Sequence, residues 1–86
     1  MTGHHRRHNP IIARARALIA EGVVGRPVSV TAMCTWLKPD AYFNVEWRRL
    51  PGGGPVLINM IHDVDLLCHL VGEVASVQAV TSNAMR

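Results

Sequence analysis

A glycine-rich segment that runs directly into an apolar helix is the feature that most limits how this chain can fold. Three successive glycines at positions 52–54 precede Pro55, and the residues from there to about position 70 are largely apolar. Glycine adopts backbone conformations closed to other residues, and proline suits the first helical position, where no backbone donor is needed. The sequence therefore predicts a loop, then a helix over residues 55–70 that ends before Gly72 as a left-handed cap.

That helix carries titratable side chains on one face. His62 and Asp65 are three positions apart, and His69 lies about two turns beyond His62 on nearly the same line. A neutral imidazole can take a proton from a hydroxyl group if its second nitrogen is oriented, so His62 is the candidate general base. Two alternatives stay open: His62 as a packed structural histidine, and Asp65 as either the orienting group or a plain salt-bridge residue.

Two other kinds of site are not expected on this helix. Imidazole and carboxylate groups at one-turn spacing can chelate a metal, but a hydrolytic centre needs further histidines, and the others in this chain, at positions 4, 5 and 8, are near its start. The glycines of residues 52–54 lack the spacing of the dinucleotide fingerprint and follow a loop instead of a strand. We predict no metal site and no nucleotide site here.

The remaining segments predict one more helix and two strands. Asn9 and Pro10 form a capping signal, and apolar residues then recur with helical spacing up to Gly22. Alternating patterns over residues 27–37 and 74–81 are typical of strands. The expected fold class is α+β, with a partial open antiparallel or mixed sheet and helices on one face. Because two strands alone do not make a stable open sheet, we expect further strands or a partner chain.

Residues 38–51 are expected to form a surface loop. They contain two prolines and a group of aromatic and arginine side chains that includes Tyr42 and Trp47. These rings either line a ligand site or cover the apolar face of the sheet. On the preceding helix, Arg14 and Arg16 lie off the apolar face and are interpreted as solvated.

Composition narrows the function classes. The formal charge of +3 is concentrated near the start of the chain, and no nucleic-acid motif follows those basic residues, so nucleic acid is not an expected partner. Two cysteines within apolar segments do not suggest a disulfide framework. No run of residues has the pattern of a signal peptide or the length of a membrane span. We expect a cytoplasmic protein with no membrane partner.

Two segments of the sequence resemble segments of the substrate domain of the Gfo/Idh/MocA oxidoreductases, the family of glucose-fructose oxidoreductase and inositol dehydrogenase. Residues 3–10, GHHRRHNP, look like the family segment that opens the first helix after the nucleotide-binding domain. The glycine loop with His62 and Asp65 looks like the family's catalytic helix. The resemblance covers essentially all 86 residues, which correspond to the first part of the C-terminal substrate domain.

The resemblance implies an NAD(P)-dependent dehydrogenase that acts on a sugar, cyclitol or related polyol. His62 is then the proton acceptor from the substrate hydroxyl, while hydride goes to the nicotinamide of NAD or NADP, and Asp65 contacts or orients the same site. Arg7, Asn59, Tyr42 and Trp47 are the expected substrate-binding residues. Many members have an aspartate four residues before the histidine, where this chain has Ile58.

The dinucleotide-binding domain of the family has no counterpart in residues 1–86. We therefore expect a fragment of a dehydrogenase, inactive alone, whose complete form associates with copies of itself through the sheet. The alternative is a small non-enzymatic binding or oligomerisation module that offers an exposed sheet edge to a second chain.

Overall fold

The computed structural model describes residues 3–82, and they form a helical structure. The two α-helices are α1, Pro10–Ala20, and α2, Ile61–Val71. A 3-10 turn, His5–His8, precedes α1, and two more, Asp40–Asn44 and Glu46–Arg48, lie in the long connection. A π-helical turn, Val56–Met60, leads directly into α2. α1, α2 and the N-terminal turn pack against one another.

Local sequence signals explain why α1 begins and ends where it does. The Asn9 side chain accepts a hydrogen bond from the backbone N–H of Ile11 at 2.9 Å, and Pro10 occupies the first turn. This is the capping arrangement that the sequence predicts, because it satisfies a donor that has no partner within the helix. The helix ends at Ala20, and the chain turns through Gly22.

The glycine loop and the helix after it are also confirmed. Gly52 and Gly54 have φ angles of +88° and +90°, and the helical backbone runs from this loop to Val71. The first turn is wider than expected, because the backbone N–H of Ile61 bonds to the carbonyl of Val56, five residues earlier. Such π turns rotate the following residues relative to a continuous α-helix and are frequent at functional sites. Gly72, with φ of +127°, follows the last helical residue.

The predicted α+β sheet is wrong for the part of the chain that the structure describes. Residues 27–37 and 74–81 are irregular, and none of residues 3–82 belongs to a strand. A strand exists only where a neighbouring strand accepts and donates its backbone hydrogen bonds, and these two segments do not pair. Most of their alternating apolar side chains are exposed, as Val28, Val30 and Val77 show. The sheet edge expected to bind a second chain is therefore also absent from these residues.

The described residues bury no hydrophobic side chain; Asp65, 8% exposed, is the one residue among them that is buried. The radius of gyration is 15.9 Å, whereas a compact domain of this length has about 12 Å. Contacts between polar and charged groups consequently carry much of the tertiary structure. No helix within residues 3–82 has the length and apolar character needed to cross a membrane.

Candidate functional site

Two ion pairs hold the N-terminal turn on α2. Arg6 donates to the Asp63 carboxylate at 2.6 Å, and Arg7 donates through Nε and a terminal nitrogen to both oxygens of Asp65. The partners are 57 and 58 residues apart in sequence, so these contacts define the tertiary arrangement of the two segments. The paired geometry of the Arg7 contact matches the planar fork of a guanidinium to the two carboxylate oxygens.

The Arg7–Asp65 pair also sets the charge at the centre of the site. The hydrogen bonds from Arg7 hold the pKa of Asp65 below its ordinary value, although burial opposes this shift. The same hydrogen bonds raise the pKa of Arg7. Both carboxylate oxygens of Asp65 therefore accept hydrogen bonds from Arg7, and Asp65 stays ionised throughout the neutral pH range.

His62 faces His5 of the N-terminal turn and His4, the residue before that turn. Its ring centroid lies 5.1 Å from that of His5 and 6.2 Å from that of His4, both in edge-to-face arrangements. The Nδ1 of His5 lies 3.2 Å from the carbonyl oxygen of Gly3, which favours the tautomer in which this nitrogen donates. An open cavity of about 560 Å³ is lined by this turn, including His4, His5 and Arg7. His4 and His5 thus lie beside a space that a small ligand can enter, and the His62 ring faces both of them.

Several buried side-chain polar atoms have no hydrogen-bond partner among the described residues. They include the Nδ1 atoms of His62 and His4, the Oδ1 of Asn59 and the hydroxyl of Tyr42. Buried polar groups in native proteins are nearly always paired, so an unpaired group calls for a specific explanation such as a ligand. Three of these residues, His62, Asn59 and Tyr42, are ones that the sequence predicts for the site.

Aromatic and cationic side chains alternate on the connection between the helices. The ammonium of Lys38 lies 5.0 Å from the Trp36 ring and 4.9 Å from the Tyr42 ring. The guanidinium of Arg48 lies 4.2 Å from the Tyr42 ring and 5.6 Å from the Trp47 ring. We call this set the cation–aromatic ladder. Each contact is of the kind in which a cation is attracted by the negative face of a ring.

The ladder reaches the ion pairs on α2 at one end. The guanidinium of Arg6, which binds Asp63, also lies 5.9 Å from the Trp36 ring. Tyr42 is therefore joined to the N-terminal turn through Lys38 and Trp36. Trp47 is at the far end of the ladder and is 51% exposed.

The structure thus joins Arg7 to Asp65 on α2, the helix that also carries His62, and places Asn59 in the π turn before that helix. It pairs Asp65 with Arg7, and His62 instead faces the two N-terminal histidines. His69 lies on a different groove, between α1 and α2.

Sequence reasoning gave no individual role to His4, His5 or Trp36. The signal for the two histidines was their position next to Arg6 and Arg7 in the GHHRRHNP segment. Trp36 belongs to the alternating pattern over residues 27–37, and nothing in that pattern distinguishes a ring beneath a cation from a ring in a sheet.

The glycine loop does not fit the diphosphate of a nucleotide. A β-carbon at Gly53 would overlap the backbone carbonyl oxygen of Trp47, and one at Gly54 would lie 3.7 Å from that of Arg48. The loop thus packs against carbonyl oxygens, which repel phosphate, whereas a phosphate-binding loop presents N–H groups. Among residues 3–82, no group of three or more histidine, cysteine or acidic side chains is placed to hold a metal ion.

Comparison with known proteins bears directly on this arrangement. Residues 12–86 match the family model of the GFO/IDH/MocA C-terminal domain. The chain is 30% identical over 81 residues to Oxidoreductase P35 of Formosa agariphila, an alignment that covers 87% of this chain and 25% of that protein. It therefore spans about a quarter of the length of that relative. No solved structure matches the chain significantly. The chain belongs to the GFO/IDH/MocA C-terminal domain family and is a domain of oxidoreductase type.

Proposed function

We propose that residues 1–86 are the first part of the substrate domain of an NAD(P)-dependent dehydrogenase that oxidises a sugar, cyclitol or related polyol. The observation that carries this proposal is the buried, unpaired Nδ1 of His62, which lies on the same helix as the Asp65 that binds Arg7. Family membership supports the oxidoreductase class. The polar, hydrogen-bonding character of the unpaired atoms supports a hydroxylated substrate.

In this proposal His62 is the proton acceptor. Oxidation of an alcohol requires removal of the hydroxyl proton, and an imidazole with one free nitrogen can accept it within hydrogen-bond reach. His62 belongs to α2, which gives the ring a rigid mounting, and His4 and His5 restrict its orientation from the other side. The exposed His5 connects this cluster to solvent.

The other predicted residues bind or position the substrate. Arg7, held by Asp65, keeps a fixed guanidinium at the edge of the cavity. Asn59 and Tyr42 each offer a buried polar atom that a substrate hydroxyl can pair with. Trp47, at the far end of the cation–aromatic ladder, offers an apolar ring face to a sugar. Asp65 acts through Arg7 and is a positioning residue.

NAD or NADP is the redox cofactor that the family implies, and we assign its binding to polypeptide other than the described residues, whose glycine loop does not fit it. We also propose a cytoplasmic location, since Cys34 and Cys68 are both free and reducing compartments keep thiols in this state.

The test is NAD(P)-dependent oxidation of a panel of polyols and sugars by the gene product that contains these residues. We expect His62→Ala to lower kcat by about a hundredfold or more, since it removes the general base. The matched control is Val64→Ala on the exposed side of the same helix, for which kcat should stay within about twofold. Equal rates for the His62→Ala and unmodified proteins, or no turnover of any panel member by the unmodified protein, contradict the proposal.

A second candidate is a non-enzymatic module that associates with a second copy of this chain. It is favoured by the exposure of large apolar side chains, among them Val28 at 93%, Leu37 at 85% and Val80 at 99%. Exposed apolar surface of this kind is typical of interaction sites. Sedimentation of the 86-residue chain tests this candidate: a discrete folded dimer supports it, and a monomer over the whole concentration range contradicts it.

A further inference from the structure

A second cavity lies between α1 and α2. It has a volume of about 590 Å³ and shares Arg7 and His8 with the lining of the cavity beside His4 and His5. Its lining contains Arg7 and His8 from the N-terminal turn, Arg16 from α1 and His69 from α2. The rest of its lining is formed by small alanines of α1, at positions 13, 17 and 20. We call this cavity the basic groove.

The basic side chains of the groove come from three separate elements that the fold brings together. Arg7 is fixed by its two hydrogen bonds to Asp65, and His69 is half-buried on the next turn of the same helix. Arg16, interpreted from sequence as solvated, faces this groove from α1. The alanines leave room for a ligand to approach these groups without moving a large side chain.

Positive charge in the groove is incompletely balanced. Asp65 is the buried carboxylate beside it and is already bound by Arg7. Within residues 3–82, Arg16 forms no ion pair, and the acidic residue nearest to it on the chain, Glu21, pairs with Arg14 at 3.6 Å. Burial lowers the pKa of His69, and the positive charges of Arg16, Arg7 and His8 lower it further, against a smaller opposing effect of Asp65. Adding a proton to His69 is thus unfavourable until an anion is present.

We propose that the basic groove binds a tetrahedral oxyanion, either free inorganic phosphate or the phosphate group of a small-molecule ligand. Guanidinium groups present several N–H donors in a fixed plane that suits such oxygens, and protonated histidines add further donors. The anion would bridge Arg16, Arg7 and His69, so it would also tie α1 to α2. Arg16 and His69 distinguish this site from the substrate cavity, with which it shares Arg7, and the proposal does not depend on the assignment of His62.

The test uses nuclear magnetic resonance on the full 86-residue chain, titrated with inorganic phosphate against sodium chloride at equal ionic strength. Phosphate should shift the His69 ring signals saturably and raise the pKa of His69, because the bound anion favours the imidazolium. The Arg16→Gln variant should weaken phosphate binding about tenfold, as expected when one charge-assisted contact is lost. The matched control is Arg14→Gln, which removes the same charge from another face of α1 and should leave the affinity unchanged.

Equal effects of chloride and phosphate would overturn the proposal, and so would equal weakening by Arg14→Gln and Arg16→Gln, since both results indicate diffuse screening. Arg16→Lys keeps the charge, so if Arg16→Gln loses helix content by circular dichroism, the Lys variant must still bind phosphate for the proposal to hold. Competition by glycerol 3-phosphate supports a ligand phosphate, and binding of inorganic phosphate alone supports the free ion.

Discussion

At the scale of single residues, Asp65 shows how burial and charge act together in this chain. It is the one buried residue among those described, and it is a carboxylate with both oxygens bound to Arg7. A buried charge is tolerated when a partner satisfies it, and removing the partner is costly. Docking of the N-terminal turn therefore depends on the ionised form of Asp65.

Acidification should undock the N-terminal turn. Because Arg7 lowers the pKa of Asp65 below the ordinary value of 3.8 in the docked state, the docked state binds fewer protons than the undocked one. The stabilisation of the docked state by ionised Asp65 is fully present above the ordinary pKa. It is lost as pH falls through the lowered pKa of the docked state. Proton spectra of His4 and His5 between about pH 6 and pH 2 will show whether these rings leave their α2 environment. In Asp65→Asn this acid-dependent change should be absent; if it persists unchanged, Asp65 is not its cause.

At Gly53 the surrounding backbone leaves no space for a side chain. The backbone carbonyl of Trp47 occupies the space that a β-carbon would need. Gly53→Ala should therefore displace the loop at a cost of about 1–3 kcal/mol, the usual range for overpacking. The shift of the Trp47 indole N–H signal measures this displacement. Gly3→Ala is the control, because nothing lies within 4 Å of a β-carbon there; equal shifts in the two variants would contradict the close approach.

At the scale of elements, the sequence predicts both helices because the residues that begin and end a helix act on neighbours a few positions away. Asn9 caps α1 through a neighbour two positions away, and Gly72 ends α2. The π turn before α2 could not be predicted, since the residues of 56–60 suit an ordinary helix equally well. The spacing of His62 and Asp65 did place both on one helix, but the partner of each depends on residues far away in the sequence.

The prediction of two strands is wrong for a related reason. Alternation over residues 27–37 indicates which side chains prefer burial, and it does not supply the neighbouring strand that an extended segment needs. Within residues 3–82 those partners are missing, and most apolar side chains of this segment are exposed. The long-range pairs Arg6–Asp63 and Arg7–Asp65 were likewise beyond sequence reasoning, because no periodicity links positions 57 or 58 residues apart.

The cap of α1 gives a prediction at this scale. Asn9→Ala leaves the backbone N–H of Ile11 without its side-chain acceptor and should cost about 1 kcal/mol of helix stability. The expected result is lower helix content by circular dichroism and weaker helical chemical shifts at the start of α1. Asn9→Asp keeps an acceptor oxygen and should retain the helix content of the unmodified chain. An Ala variant as helical as the Asp variant would show that the cap contributes nothing.

At the scale of the whole molecule, polar contacts assemble the site in place of an apolar core. Residues 3–82 bury no hydrophobic side chain, yet the N-terminal turn, α1 and α2 meet. The Arg6–Asp63 and Arg7–Asp65 pairs join the segment carrying His4 and His5 to the helix carrying His62. The geometry of the proposed catalytic site therefore depends on these ion pairs, and loss of either should loosen it.

The most direct test is the nuclear Overhauser contact between the rings of His5 and His62, whose centroids are 5.1 Å apart. It should be present in the unmodified chain at neutral pH and lost in Asp65→Asn, where Arg7 no longer holds the turn on α2. Glu21→Gln, which breaks the Arg14–Glu21 pair on α1, is the matched control and should retain the contact. A contact that survives Asp65→Asn, or that is absent from the unmodified chain, would contradict assembly of the site by the Arg7–Asp65 pair.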